Sequence, residues 1–168
     1  MQRSAKKIAF LGVSVSLALI LAYVESLLPP IYAAVPGVKM GLPNIVIIFI
    51  LYRFGVKEAA AVSFVRIVAA SLLFGSTVTF AYSMAGGVLS LVAMAILRRL
   101  DLLSAVGVSV AGGVLHNVGQ ILTAILLLGR VEIGYYLVVL AITGVISGAF
   151  VGLCGSLVIK RFQTKNTV

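Results

Sequence analysis

The sequence predicts an all-α membrane protein, a six-transmembrane-helix bundle with the N- and C-termini both cytoplasmic. Three observations predict it. The 168 residues are 62% hydrophobic and only 10% charged, against roughly 25% charged in a soluble domain, which is too few to cover a water-facing surface. The apolar stretches are long and continuous rather than alternating. In lipid, where backbone groups must be satisfied within the chain, that pattern selects helices over a closed barrel. The basic residues sit in short clusters between the apolar stretches, the arrangement that sets orientation in a bilayer.

Helix 1 is expected over 8–28. The start at 1–7 resembles the n-region of a signal peptide, but the apolar run after it is about 20 residues, long enough to span and to be retained. Pro29 and Pro30 end it. Helix 2 is expected over 42–52, too short to cross alone unless the segment from Val38 contributes. Helices 3 to 6 follow over 58–74, 79–97, 103–128 and 133–159. The connections are short, so 1–168 reads as one integral membrane domain.

When alternate connections are placed on opposite sides, Arg3, Lys6, Lys7, Arg53, Lys57, Arg98, Arg99, Lys160, Arg161 and Lys165 fall together, against only Lys39 and Arg130. Lys and Arg are retained in the cytoplasm, so both ends are expected there. The same clustering explains the net charge of +9 without nucleic-acid binding. The single cysteine, Cys154, can form no disulfide within the chain and no metal site alone.

Small residues recur at spacing four: Gly144, Gly148, Gly152 and Ser156 on helix 6; Ser83 with Gly87 and Gly86 with Ser90 on helix 4; Ser14, Ala18 and Ala22 on helix 1. Such stripes let helix backbones approach closely in lipid. They pack one bundle together, or one of them docks a partner membrane protein. Helix 1 is the candidate for docking, because its stripe has no obvious local partner. The match between Gly12-Val-Ser-Val and Gly107-Val-Ser-Val is ascribed to composition.

Ionisable groups inside spans are costly and usually face a bundle interior or a water-filled cavity. Arg66 lies near the middle of helix 3, flanked at helical spacing by Val62, Ser63, Ala69 and Ala70. It is either half of a buried pair with Glu25 or a cationic anchor for an anionic solute. Helix 5 carries His116, Asn117 and Gln120, with His116 and Gln120 four apart on one face. One histidine with no Cys or carboxylate nearby makes a poor metal site. All four prolines fall between helices 1 and 2, and Pro43 suits the first turn of helix 2. That connection is an ordinary loop or a re-entrant lid with Lys39 and Asn44 facing inward. Depth brings Glu25, Lys39, Asn44, Arg66, His116, Asn117 and Gln120 into one expected polar pocket in the outer half. Its charge balance favours a neutral or anionic ligand, and its aliphatic lining suggests an amphiphile or a flat hydrophobic group with a polar head.

The string PGVKMGLPNIV, Arg66 in the next helix and HNVGQ in helix 5 together resemble a bacterial membrane family labelled heptaprenyl diphosphate synthase component I, or Gx transporter family. The resemblance covers essentially the whole chain. That family is similar to the S-components of energy-coupling factor vitamin transporters. It implies a multi-pass protein of the bacterial cell (inner) membrane that binds a small solute near the outer face. It also implies docking through small residues of helix 1 to a T-component driven by two ATPases. Carried over by motif, the family's marked positions are Glu25, Pro36, Gly37, Lys39, Gly41, Asn44, Arg66, His116, Asn117 and Gln120; where the family usually has a small residue, this chain has Pro43.

Prenyl elongation needs clustered aspartates to hold magnesium on a diphosphate. The chain has one aspartate, Asp101, and four acidic residues in all, far apart. It has no phosphate-cradling Gly loop with Lys and Ser/Thr, and no nucleophile beside a base. No enzyme activity and no cofactor are therefore expected. The function expected is a solute-binding transport subunit for a small neutral or anionic solute, isoprenoid- or quinone-related by family. The alternative is an accessory membrane subunit of heptaprenyl diphosphate or menaquinone synthesis, partnered by a prenyl synthase subunit.

Overall fold

The computed structural model describes residues 2–27 and 41–164, in six α-helices. These are α1 (Gln2–Leu27), α2 (Asn44–Arg53), α3 (Val56–Phe74), α4 (Thr77–Leu100), α5 (Ala105–Leu128) and α6 (Tyr136–Thr164). A 3-10 turn, Val131–Tyr135, leads into α6, so the apolar segment expected as helix 6 becomes α-helical only from Tyr136. The other expected helices are present with boundaries shifted by a few residues, and at α4 and α5 a side-chain cap sets the start. Ser76 accepts from the Thr79 amide at 3.2 Å and starts α4 earlier than the apolar pattern does. Ser104 accepts from the Gly107 amide at 3.3 Å and starts α5. Such caps satisfy amides that have no partner inside the helix. Asp101 ends α4 in the left-handed region, at φ 51°, a conformation Asp tolerates better than most residues.

Four segments, Ala5–Leu27, Thr77–Leu100, Ala105–Leu128 and Val131–Phe162, are long and apolar enough to cross a membrane. α3 has the length but carries Lys57, Glu58 and Arg66. α2, at 10 residues, is roughly 15 Å long, half a span. Val46, Ile47, Ile48, Phe49, Ile50 and Leu51 are all buried. A helix apolar on every face must be enclosed on every face, and α2 is the centre of the main core, against Ala18, Ala59, Val62, Leu91, Met94 and Val108. The outer surface is apolar instead of charged: Leu72, Leu126 and Val138 are among many large side chains left exposed. Hydrocarbon is the solvent that suits it.

Close backbone approach holds the long helices together. A Cβ on Gly113 would stand 2.5 Å from the Gly144 carbonyl oxygen, and one on Gly148 would stand 2.7 Å from Val110 Cα. The helix 6 stripe is thus packed against α5. Gly87 likewise receives Ile67 of α3. The expectation that the helix 1 stripe lacks a local partner is corrected: Ser14, Ala18 and Ala22 are 6%, 0% and 9% exposed, and Ala18 belongs to the main core. This face is packed inside the bundle. Ala59 and Val62 of α3 and the apolar residues of α2 share that core.

The bundle has two unlike ends. At one, Lys7 of α1 pairs with Glu58 of α3, Arg98 of α4 reaches the last carbonyls of α2, and Phe162 of α6 stacks on Phe49 with centroids 5.2 Å apart. The start of α1 and the end of α6 therefore lie together, with the basic helix ends. The other end holds the cavity described next.

Candidate functional site

Gly41 and Asn44 introduce the site. The Asn44 amide donates to the Gly41 carbonyl at 2.8 Å, closing a turn into α2. Gly41 has φ +73°, the left-handed region where a Cβ is strained. Pro43 caps α2 from just outside, at φ −59°, one place earlier than expected, and its missing N–H costs nothing there. The Gly41 amide donates to Glu25 Oε1 across the gap to α1. Glu25 is 8% exposed, so this contact ties the α1 end to the turn before α2.

These residues border a cavity of about 150 Å³. Its wall takes Ala22, Glu25 and Ser26 from α1, Gly41, Pro43 and Asn44 at α2, Arg66 and Ser71 from α3, Thr79 and Ser83 from α4, and His116 and Gln120 from α5. Arg66 stands midway along α3, and its Nε is buried without a hydrogen-bond partner among the described residues. Glu25 is near enough to act on it electrostatically, yet the one ion pair within contact distance among the described residues is Lys7–Glu58. His116 lies against α4 where Gly86 leaves room, since a Cβ on Gly86 would come within 2.9 Å of His116 Nδ1.

The cavity brings together Glu25, Asn44, Arg66, His116 and Gln120. Lys39, Pro36, Gly37 and the lid reading of that connection lie outside the described residues. Asn117 is placed differently. It is 8% exposed, and its Nδ2 donates to the Leu140 carbonyl of α6 at 2.5 Å. It lines a second, smaller chamber of about 30 Å³ with Ser90, Ser109 and Ser147. One residue after His116 on a helix is turned by about 100°, onto another face. Gly41, Asn44 and His116 border both spaces. The hydroxyls of Ser71, Thr79 and Ser83 were missed as site residues. For Ser71 and Thr79 the signal was the hydroxyl-rich run at 71–79, from the end of α3 into α4.

The chemistry available is recognition. A guanidinium, a carboxylate, two amides, an imidazole and hydroxyls converge on a space that suits a small polar group. Among the described residues no group of three or more His, Cys, Asp and Glu could hold a metal ion. Drug-sized ligands occupy roughly 300–1,000 Å³, so this cavity takes a head group and not a long apolar tail.

The model of the family described as heptaprenyl diphosphate synthase component I matches residues 14–158. No curated protein and no solved structure matches the chain. The match spans most of the sequence, and the chain belongs to that family.

Proposed function

We propose that this member of the heptaprenyl diphosphate synthase component I family is a non-catalytic binding subunit of the membrane. It holds the anionic head of a small amphiphile in the Arg66 cavity and serves a partner prenyl synthase that performs chain elongation. The observation that carries this is Arg66: a guanidinium midway along α3, its Nε enclosed without a partner among the described residues, on the wall of a polar cavity. A cation there is costly unless something solvates it, and an anionic guest would. Asn44, His116 and Gln120 would donate to the same head group, and Lys39 would add a second cation from the connection before α2. Glu25 positions the Gly41 turn and tempers the positive charge. The family description supports the synthase partner. The test is co-purification of the chain with the prenyl synthase of the same cell, together with product length in a strain lacking the chain. Stable association and shortened or mixed products support the proposal; an unaffected synthase with no association opposes it.

A second reading is solute uptake. The feature favouring it is the position of the cavity at the end away from the basic helix ends. With those ends in the cytoplasm, as positive charge retention implies, the cavity opens toward the outside. The chain would then act as an S-component-like subunit with a T-component and two ATPases. Co-purification with an ATPase module and ATP-dependent accumulation of a solute would favour this reading over the first.

A further inference from the structure

We infer a second anion site at the opposite end of the bundle, an open groove that takes a phosphate or diphosphate group. The groove lies between the α2–α3 turn and the end of α4, with a volume of about 570 Å³. Its polar lining is Lys57, Arg98, Arg99 and Glu58, and its apolar lining is Phe54, Val56 and Ala95. Glu58 is already engaged by Lys7, so one carboxylate stands among Lys57, Arg98 and Arg99 and the groove keeps an excess of positive charge. Arg98 is fixed in place: it donates to the carbonyls of Leu51 and Tyr52, the latter at 3.3 Å, and its guanidinium lies 5.1 Å from the Tyr52 ring centre. That anchoring makes it a rigid side of the groove, while Lys57 and Arg99 are exposed and able to close on a ligand.

Orientation in the membrane requires positive charge at this end but does not require it to converge on one concavity. Here the turn after α2 and the C-terminus of α4 are brought side by side by the Arg98 contacts, and the cations face a common space. Arg recognises phosphate oxygens through paired N–H donors and Lys through a point charge. Phe54, Val56 and Ala95 line the same groove as the cations, which suits a ligand that is itself amphiphilic. Lys57 stands about 14 Å along α3 from Arg66, so this site is distinct from the cavity and does not depend on what the cavity binds.

Two sources share this chemistry, an anionic lipid head group and a prenyl diphosphate. The test uses the full chain in neutral detergent and titrates three probes by native mass spectrometry: dioleoyl phosphatidylglycerol, farnesyl diphosphate and inorganic diphosphate. The proteins are wild type, the double variant Lys57→Gln with Arg99→Gln, the charge-keeping double variant Lys57→Arg with Arg99→Lys, and Arg66→Ala. At about 1 kcal/mol per cation near a charged surface, the Gln double variant should lose about thirtyfold in affinity. The charge-keeping variant should bind within a fewfold of wild type, which separates lost charge from lost fold. Arg66→Ala should remove only the adduct held by the cavity and keep the one that the Gln double variant loses, so failure of the groove and failure of the cavity are told apart. Loss restricted to phosphatidylglycerol assigns the groove to membrane lipid, and loss with either diphosphate probe assigns it to the prenyl or free diphosphate. Equal affinity in wild type and the Gln double variant, or no binding of any probe by wild type, overturns the inference.

Discussion

Arg66 sets the energetics of the site. Translocon-type scales put the cost of an arginine at the centre of a spanning helix near 3 kcal/mol, and the described side chains leave its Nε without a hydrogen bond. Two accounts of the residue predict opposite signs. If its role is to meet a guest, Arg66→Met removes a costly charge from the ligand-free protein. The melting temperature in detergent then stays level or rises while ligand binding is lost. If it mainly compensates Glu25, the same variant strands a buried carboxylate and destabilises by about 3–5 kcal/mol. The first outcome is expected, because Glu25 keeps the Gly41 amide as a partner. Lys7 and Glu58, at the polar end, make a milder prediction. The hydrogen bond from Lys7 holds the Glu58 carboxyl below the usual carboxylate range. A lowered folded-state value contributes stability that is present above the ordinary carboxylate pKa and is lost as pH falls through the lowered one. Thermal melts from pH 7 to pH 3 should therefore lose a small acid-dependent component in Glu58→Gln, small because both side chains reach water.

Among the elements, α2 links the two ends of the molecule. Its start adjoins the cavity through Gly41 and Asn44, and its last carbonyls are held by Arg98. A cation at a helix C-terminus satisfies orphan carbonyls and complements the dipole. Arg98→Ala should cost about 2 kcal/mol, the range for hydrogen bonds from a charged donor, measured as a fall in thermal stability with Arg98→Lys partly restoring it. The α5–α6 contact gives a sharper test. Gly148→Ala places a Cβ against Val110 backbone that cannot move aside, and overpacking of that kind costs about 1–3 kcal/mol. Gly12→Ala, where nothing lies within 4 Å, should cost nothing and raise stability by up to about 1 kcal/mol through helix propensity. The helices themselves were legible in the sequence because hydrocarbon imposes one period and one length on them. What was not legible was which neighbour each small-residue stripe meets. Ser14, Ala18 and Ala22 carry no mark of the α2 and α3 neighbours that bury them, because a stripe records only how close a neighbour can come.

At the scale of the whole molecule, the division of basic residues foretold an end rich in positive charge and an end poor in it, and the packing of Lys7, Arg98 and Phe162 gathers helix ends at the first. Glu25, Asn44, Arg66, His116 and Gln120 could be grouped in advance because polar groups at membrane depth have few places to go. Asn117 escaped that logic: its amide is satisfied by the Leu140 carbonyl, a partner set by helix rotation and invisible in a composition argument. Family membership points to a partner synthase subunit, and on the proposed function the cavity would serve it by capturing an anionic head group. The most direct test is native mass spectrometry of the freshly purified chain. Wild type is predicted to carry a small anionic adduct at near one-to-one occupancy, and Arg66→Met, folded and monodisperse, is predicted to emerge without it. Identical spectra from the two proteins, both bare or both carrying the same adduct, would contradict the account.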